Sequence, residues 1–280
     1  MSVKVQHLCR TAWLTLHFLG TGNAHAEHLG TSSAVLEQNT HPLLMIDCGP
    51  DSVAAYRSHY QGHLPEALFL THCHMDHIGG LENLFYRAYF EPHYQGRIKL
   101  YVPVHLILTL QKRVADYPGM LAEGGANFWD CFQLIPVSDD FWHAGLRFQV
   151  FPVRHHQYLS AYGLGLSGIF LFTGDTRPIP EIISTYACHG ELIFHDANIR
   201  SSPSHTGIHE IHQAYGNEQV RRMVIYHYES VQAGNEIEQM GFNVARPDQD
   251  FTLRRQHIGY LQDENAKVRS IGDPLHRQSG

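Results

Sequence analysis

Short apolar runs separated by polar turns repeat along most of this chain. Leu14, Leu16 and Phe18 alternate with Thr15 and His17, and this period of two predicts a strand with one buried face. Further strands are predicted at residues 32–36, 43–47, 67–70, 98–102, 132–135, 146–150, 168–172, 192–194 and 222–226, with a closing segment at 242–246 and 251–253. Helices are predicted from near residue 51, over residues 81–90 and 105–116, and after residue 207. Polar side chains follow several of the strands directly, so candidate catalytic and metal-binding residues are sought at the strand ends.

The composition indicates the class of protein and its compartment, and says less about its function. The chain has 280 residues, of which 43% are hydrophobic, and this is enough to bury a sizeable core. A net charge of -7 with neutral histidines gives no electrostatic footprint for long nucleic acid. Five scattered cysteines without a CxxC pair indicate free thiols in a reducing compartment. Because the chain lacks a signal-peptide pattern and a membrane-length apolar run, we expect a cytoplasmic protein.

The strongest chemical pattern follows the apolar run at residues 67–70. Four candidate metal ligands lie there within six residues, namely His72, His74, Asp76 and His77. Residues two apart at the end of a strand point the same way, so the imidazoles of His72 and His74 can reach one ion. Asp76 and His77 follow on a loop or a first helical turn and can face a second ion. Imidazole and carboxylate ligands suit Zn, Fe or Mn.

The motif His72-x-His74-x-Asp76-His77 resembles the signature of the metallo-β-lactamase-fold hydrolases. That resemblance implies an α/β fold, a four-layer αββα sandwich with a metal site at one edge of its two sheets. It covers most of the chain, so we expect one domain over residues 1–280, with internal halves at about 1–136 and 137–261. Residues 262–280 are expected to form a surface tail, and residues 118–125 are either a lid or a simple loop.

The second half of the chain supplies the remaining ligands that the resemblance implies. Asp175 follows the apolar strand at 168–172 and matches the bridging aspartate of the family. His227 ends the last main strand and matches the final ligand. The family pattern Pro-x-x-His selects His155 as a further ligand, while the adjacent His156 stays open as the alternative.

The resemblance implies two divalent metal ions, with zinc as the first choice and Mn or Fe as alternatives. One ion would be held by His72, His74 and His155, the other by Asp76, His77 and His227, and Asp175 would bridge them. Such a set of ligands keeps net positive charge and can lower the pKa of a bridging water to about 7. The expected reaction is hydrolysis by a metal-bridging hydroxide.

Two short stretches beside these ligands have structural interpretations. Asp47 ends the strand at residues 43–47 and resembles a family aspartate that supports the metal loop from behind. It could also cap the helix that begins near Asp51, and the two roles are compatible. Gly79 and Gly80, directly after the candidate ligands, let the backbone turn closely into the next element.

A further pair of stretches resembles a narrower branch of the superfamily. His195-Asp196-Ala197-Asn198 and His205-Thr206 are similar to the ribonuclease Z and small cyclic phosphodiesterase branch. The resemblance implies that His205 assists cleavage of a phosphodiester, so Asp76, His195 and His205 are the expected catalytic residues. The match is partial, because Asp196 stands for Glu and Asn198 for Thr. His205 could alternatively be a residue near a helix start without a chemical role.

Two hydrolytic functions remain open from the sequence. The first is a phosphodiesterase that acts on a small phosphodiester, either a cyclic nucleotide or a cyclic sugar phosphate. Only 19 residues (156–174) separate His155 from Asp175, which leaves no room for the long arm that grips tRNA in related enzymes. The alternative is a thioesterase or lactonase of the glyoxalase II kind, which uses the same ligands. A non-enzymatic relic of the fold that binds a partner is a third possibility.

The expected partners follow from the same arguments. We expect a small anionic substrate, no long nucleic acid and no membrane. A homodimer would be in keeping with the family.

Overall fold

Two mixed β-sheets pack face to face at the centre of the molecule. The structure is a computed structural model, and it describes residues 13–116, 122 and 125–254. The strands of the first part are β1 (Leu14–Gly20), β2 (Ser33–Gln38), β3 (His41–Ile46), β4 (Ala67–Phe69), β5 (Ile98–Pro103) and β6 (Phe132–Val137). The later strands are β7 (Asp140–His143), β8 (Leu146–Pro152), β9 (Tyr162–Leu166), β10 (Phe170–Phe172), β11 (Leu192–Asp196), β12 (Met223–Tyr226), β13 (Asn243–Val244) and β14 (Gln249–Leu253). They form two seven-stranded sheets with the orders β14-β1-β2-β3-β4-β5-β6 and β13-β12-β11-β10-β9-β8-β7.

Helices flank the two sheets and complete the predicted αββα arrangement. They are α1 (Ser52–His59), α2 (Met75–Ile78), α3 (Leu81–Phe90), α4 (Ile107–Leu110), α5 (Phe128–Cys131), α6 (Pro180–Tyr186), α7 (Ile208–Ala214), α8 (Asn217–Arg221) and α9 (Val231–Gln239). The one helix predicted over 105–116 is instead a succession of a 3₁₀ turn (Val104–Leu106), α4 and a π-helical segment (Gln111–Ala115). Within the described ranges, no helix is both long enough and apolar enough to cross a membrane.

Aromatic side chains join the two sheets. Phe18 on β1 is fully buried, and its ring centroid lies 5.5 Å from that of Phe194 on β11 and 5.8 Å from that of Tyr226 on β12. The ring of Phe172 on β10 lies 6.3 Å from Phe18. Contacts of this kind bury large apolar areas, so a shared hydrophobic core runs between the sheets.

The other face of β1 is buried as well, which the alternating pattern did not predict. His17 alternates with Phe18 and points away from the shared core, yet it is only 1% exposed because α1 packs on this face. Its ring contacts those of His59 and Tyr60 at the end of α1, with centroid distances of 3.8 and 6.4 Å. A polar residue on the expected solvent face of the strand is therefore covered.

The inner strands of both sheets run parallel, and their carboxyl ends carry the candidate ligands. Neighbours from β3 to β6 are parallel in one sheet, and neighbours from β10 to β13 are parallel in the other. The stretch from His72 to His77 follows β4, Asp175 follows β10 and His227 follows β12. Ligands of α/β sheets bind outside the carboxyl ends of the strands, so this edge is the place for a site.

The last strand returns from the second sheet to the first. β14 pairs antiparallel with β1, whereas β7 to β13 all belong to the second sheet. The second predicted half (137–261) thus contributes one strand to the sheet of the first half (1–136), and on this ground we propose that the chain forms one domain. The predicted tail at 262–280 and most of the predicted lid or loop at 118–125 lie outside the described residues.

Candidate metal centre

The loop that carries the first ligands is fixed by close backbone packing against the turn after β3. The Cys48 amide donates to the His77 carbonyl oxygen at 2.7 Å, and the Gly80 amide donates to the Cys48 carbonyl oxygen at 2.8 Å. A Cβ on Gly80 would lie 2.2 Å from the Gly49 carbonyl oxygen, which is closer than non-bonded atoms approach. Glycine is therefore required where the two segments meet.

Four of the predicted ligands form a first group at the end of β4. They are His72, His74, His155 and Asp175, and their ligand atoms lie within 4.8 Å of one another. The Nε2 atoms of His72 and His155 lie 3.6 and 3.8 Å from Asp175 Oδ2. Bonds of about 2.0–2.2 Å to a tetrahedral ion separate its ligand atoms by about 3.3–3.6 Å, so the spacing is close to that of a shared cation.

A second group shares one carboxylate with the first. It consists of Asp76, His77, Asp175 and His227. His77 Nε2 lies 3.4 Å from Asp76 Oδ2 and 3.3 Å from Asp175 Oδ2. His227 Nε2 lies 3.5 Å from Asp76 Oδ2 and 3.3 Å from Asp175 Oδ1. Asp175 thus stands between the two groups, which is the position that a bridging ligand would occupy.

Buried atoms in these groups have no hydrogen-bond partner among the described residues. They are His72 Nε2, His77 Nε2, His227 Nε2 and Asp175 Oδ1. Buried polar atoms are nearly always paired, and an unpaired one costs about 1–3 kcal/mol. Convergent unpaired nitrogen and carboxylate atoms are the donor set that zinc and similar divalent ions prefer. The residues therefore fit a metal centre.

The other ring nitrogens of these histidines are held by neighbouring groups. Asp47 accepts a hydrogen bond from His77 Nδ1 at 2.7 Å and two more from the amide and hydroxyl of Thr71. The Ser204 carbonyl oxygen accepts one from His155 Nδ1 at 3.0 Å. Bonds of this kind fix the orientation of an imidazole and leave its Nε2 free for a metal.

Asp47 supports the metal loop and does not cap α1. The residue that begins this helix is Asp51, whose side chain makes no capping hydrogen bond. Asp47 and His227 have φ angles of 61° and 67°, in the left-handed region that non-glycine residues seldom adopt. Strained residues persist where the surrounding contacts hold them, and they cluster at functional sites.

Protons and metal ions compete for these ligands. Burial would raise the pKa of Asp175, but the neighbouring imidazoles, His227 and His77 first, hold it well below its usual value. Burial would lower the pKa of His227, but the charges of Asp175 and Asp196 raise it to about 10. Because a metal binds neutral imidazole, it must displace such protons, and its affinity will fall as the pH decreases.

His205 lies beside the ligand groups. Its ring stacks on that of His227 with a centroid distance of 5.1 Å, and its Nδ1 lies 2.8 Å from Asp196 Oδ2. The residue that caps α7 is Gly207, so His205 is not the capping residue of that helix. Burial would lower the pKa of His205, but the hydrogen bond and charge of Asp196 raise it.

His195 is not brought to the ligand groups. It is fully buried, its Nδ1 bonds the Asp196 carbonyl oxygen, and its Nε2 bonds the Tyr215 hydroxyl, both at 2.7 Å. Both ring nitrogens are therefore engaged by the protein. Tyr215 lies 20 positions further along the chain, and no local sequence signal indicates this contact.

Asp196 contacts both His205 and His227, and the sequence analysis named it in a motif without giving it a role. Its Oδ2 accepts hydrogen bonds from His205 Nδ1 and the Thr176 amide, each at 2.8 Å, and its Oδ1 lies 3.4 Å from His227 Nδ1. One carboxylate thus positions a candidate ligand and a candidate catalytic histidine. Its place at the end of a buried strand, next to His195, was the available signal.

A cleft of about 970 Å³ opens onto the first ligand group. Besides His72, His74 and His155, it is lined by His105, Arg113, His156, Tyr158 and Arg177. His155 is 2% exposed and belongs to the ligand group, whereas His156 is exposed and belongs only to the wall of the cleft. The sequence did not indicate that Arg113, Arg177 and Tyr158 line this cleft, because none of them belongs to a motif.

Solved structures with the same architecture identify the fold. The metallo-β-lactamase fold protein YhfI from Bacillus subtilis has a TM-score of 0.67 at 14% identity, over 86% of this chain and 99% of that one. A diphosphatase from the PhnP family also has a TM-score of 0.67, at 17% identity over 85% of this chain and 97% of that one. The short form of human tRNase Z has a TM-score of 0.55 at 18% identity, over 85% and 98%. The predicted metallo-β-lactamase fold is confirmed.

Sequence comparison narrows the assignment. A protein from Paenibacillus harenae named "Anti-Pycsar protein Apyc1" is 29% identical over 193 residues, which are 66% of this chain and 77% of the relative. A protein of the same name from Bacillus phage BSP38 is 24% identical over 240 residues, 76% of this chain and 88% of the relative. The sequence profile of that family matches residues 14–251. The chain therefore belongs to the Anti-Pycsar protein Apyc1 family of metallo-β-lactamase-fold proteins.

Proposed function

We propose that this protein is a metal-dependent phosphodiesterase that hydrolyses a small phosphodiester, such as a cyclic nucleotide or a cyclic sugar phosphate. The observation that carries the proposal is the pair His205–Asp196 beside two ligand groups that share Asp175. A protonated imidazole at this place suits a leaving group that departs as an oxyanion. The proposed cofactors are two divalent ions, zinc first, held by the two groups.

The ligands support hydrolysis by their charge and position. Bound divalent ions lower the pKa of water and neutralise phosphate oxygens. The shared Asp175 and the outer carboxylates Asp47 and Asp196 hold the imidazoles in place, so little reorganisation is needed during the reaction. Asp76 contributes its carboxylate to the second group and, in this proposal, orients the attacking water.

His205 is proposed as the proton donor. Its Nδ1 is held by Asp196, so its Nε2 is the nitrogen left to serve the substrate. The water oxygen forms a bond to phosphorus and gives up one proton to solvent, one P–O ester bond breaks, and the departing oxygen takes a proton from His205, which solvent then restores. His195 is proposed as a supporting residue instead of a catalytic one, because both of its nitrogens are engaged.

The cleft supports a small anionic substrate. Arg113 and Arg177 lie in its wall and bring positive charge near the ligand groups. Residues 156–174, where tRNA-processing relatives would need an arm, contain β9 and β10, which pair with each other inside the second sheet. No arm extends from these described residues. The proposed substrate is therefore a compact phosphodiester and not a folded RNA.

Paired substrate assays test the proposal. We expect the purified, zinc-loaded protein to hydrolyse bis(p-nitrophenyl) phosphate and cyclic nucleotides, and to leave a panel of thioesters and lactones intact. His205→Gln should keep its metal content and lower kcat on the phosphodiester by about 10²–10⁴-fold, the usual contribution of a general acid. Turnover of thioesters alone would favour the glyoxalase II alternative. An unchanged kcat in His205→Gln would reject the proposed proton donor.

A further inference from the structure

A second cluster of histidines and carboxylates lies on the outer face of the first sheet. It consists of His17 on β1, His59 at the end of α1, Asp248 just before β14, Asp250 on β14 and Glu37 on β2. None of these residues belongs to the two ligand groups of the metal centre. Because His17 points to the face opposite Phe18 and the shared core, the cluster is separated from that centre by the sheet.

The two histidines converge on one carboxylate oxygen. His17 Nε2 lies 3.5 Å from Asp248 Oδ1, and His59 Nδ1 lies 3.3 Å from the same oxygen. These separations match the distance of about 3.3–3.6 Å between ligand atoms around a tetrahedral zinc ion. The two imidazole rings lie side by side with centroids 3.8 Å apart, so both nitrogens are directed at the same region.

The far side of each imidazole faces another carboxylate. His17 Nδ1 lies 2.7 Å from Asp250 Oδ1, a hydrogen-bond distance. His59 Nε2 lies 4.0 Å from Glu37 Oε1, and that oxygen also accepts a hydrogen bond from Tyr60. A carboxylate behind a histidine fixes the ring and raises its basicity, which is the usual arrangement behind a metal-binding imidazole.

The burial of His17 separates this cluster from an ordinary group of surface charges. The residue is 1% exposed, and its Nε2 makes no hydrogen bond within the described part of the chain. Its Nε2 lies 3.5 Å from Asp248 Oδ1, and the Asp248 side chain is 83% exposed. The His17 ring is thus held in place by the protein while the carboxylate remains open to solvent, as in a site that an ion enters from outside.

We propose that His17, His59 and Asp248 form a second, structural binding site for a divalent transition-metal ion, with zinc as the preferred ion and water as the fourth ligand. Asp250 positions His17, and Glu37 lies behind His59. The bound ion ties together the first strand, the end of α1 and the turn just before the edge strand β14, and its ligands His17 and Asp248 are 231 positions apart in sequence (248 minus 17). Because Asp248 is exposed, this ion exchanges with solvent more readily than those of the metal centre.

Counting metal ions in matched variants tests the site. Zinc per chain is measured by elemental analysis after dialysis of the full-length protein against zinc alone. The variants Asp248→Asn and His59→Gln should each lose about one zinc relative to the parent protein. Asparagine is chosen at position 248 because it tolerates the φ angle of 61° found there. His41→Gln, at an exposed histidine at the start of β3, should lose none. Turnover of bis(p-nitrophenyl) phosphate should stay the same in all three.

A second comparison separates this site from the metal centre. His77→Ala should lose the zinc of the second ligand group and abolish turnover, and adding Asp248→Asn to this variant should remove about one further zinc per chain. Added zinc should also raise the Tm of the parent protein above that of Asp248→Asn, because a ligand that binds the folded state stabilises it. Equal zinc content in the parent, Asp248→Asn and His59→Gln proteins would overturn the proposal and leave the cluster as a set of hydrogen bonds.

Discussion

Asp47 holds both the loop and one of its ligands, so its carboxylate should govern metal affinity. In Asp47→Asn, the charge behind His77 is lost, and zinc should bind about 10–100-fold more weakly. Chelator competition measures the change. Asp51→Asn is the matched control, because this aspartate begins α1 without a side-chain hydrogen bond. Equal affinities in the two variants would mean that the contact at 2.7 Å does not contribute to metal binding.

Asp196 should set the alkaline limit of activity through His205. The charge and hydrogen bond of Asp196 raise the pKa of His205 against the effect of burial. A proton donor acts below its pKa, so kcat should fall as the pH rises through that raised value. In Asp196→Asn the pKa of His205 should decrease, and the fall should begin at lower pH. A pH profile of kcat at saturating zinc checks this, and an unmoved alkaline limb would contradict it.

The residues whose role follows from local spacing were predictable from the sequence. His72, His74, Asp76 and His77 lie within one loop, and their order and spacing predicted a metal site. His155 and His156 are neighbours of equal chemistry, and only burial distinguishes them. The surroundings of His195 depend on Tyr215, which is distant in sequence. Contacts between distant residues set these details, and a single sequence does not contain them.

Among the elements, the junction of the metal loop with the turn after β3 tolerates the least change. In Gly80→Ala, the added Cβ would lie 2.2 Å from a backbone oxygen that no rotamer change can move. We expect a loss of about 3 kcal/mol or more in the free energy of unfolding, together with weaker zinc binding. Gly216→Ala is the control, because the nearest atom to its Cβ would be 3.9 Å away. Similar unfolding curves for the two variants would contradict the steric argument.

Elements with a strong period were predicted well, and irregular ones were not. Most strands follow from their apolar runs, since burial between two sheets requires such runs, but β7 and β9 were not among the predicted strands. The stretch 105–116 was predicted as one helix because its composition favours a helix. The helix type changes twice along it, from 3₁₀ to α and then to π. The partner of β14 could not be predicted, because its alternation gives a face and not a neighbour.

At the scale of the whole molecule, stability depends on side chains that touch both sheets. Phe18→Ala removes a buried ring that contacts Phe172, Phe194 and Tyr226, and it should lower the free energy of unfolding by about 3–5 kcal/mol. Urea unfolding at fixed metal content measures this. Phe90→Ala, at a ring that is 62% exposed, should change little. If the chain is one domain, circular dichroism and fluorescence should report the same transition in each variant.

The antiparallel pairing of β14 with β1 has a consequence for how the chain could be rearranged. Leu14 faces Leu253 across this pair, so the beginning and the end of the described fold are direct neighbours. A short linker could join them, and the backbone could be opened at the hairpin turn Ala144–Gly145 between β7 and β8. Such a circular permutant keeps every strand neighbour of both sheets. The order of the strands along the chain is therefore separable from the architecture that holds the ligands.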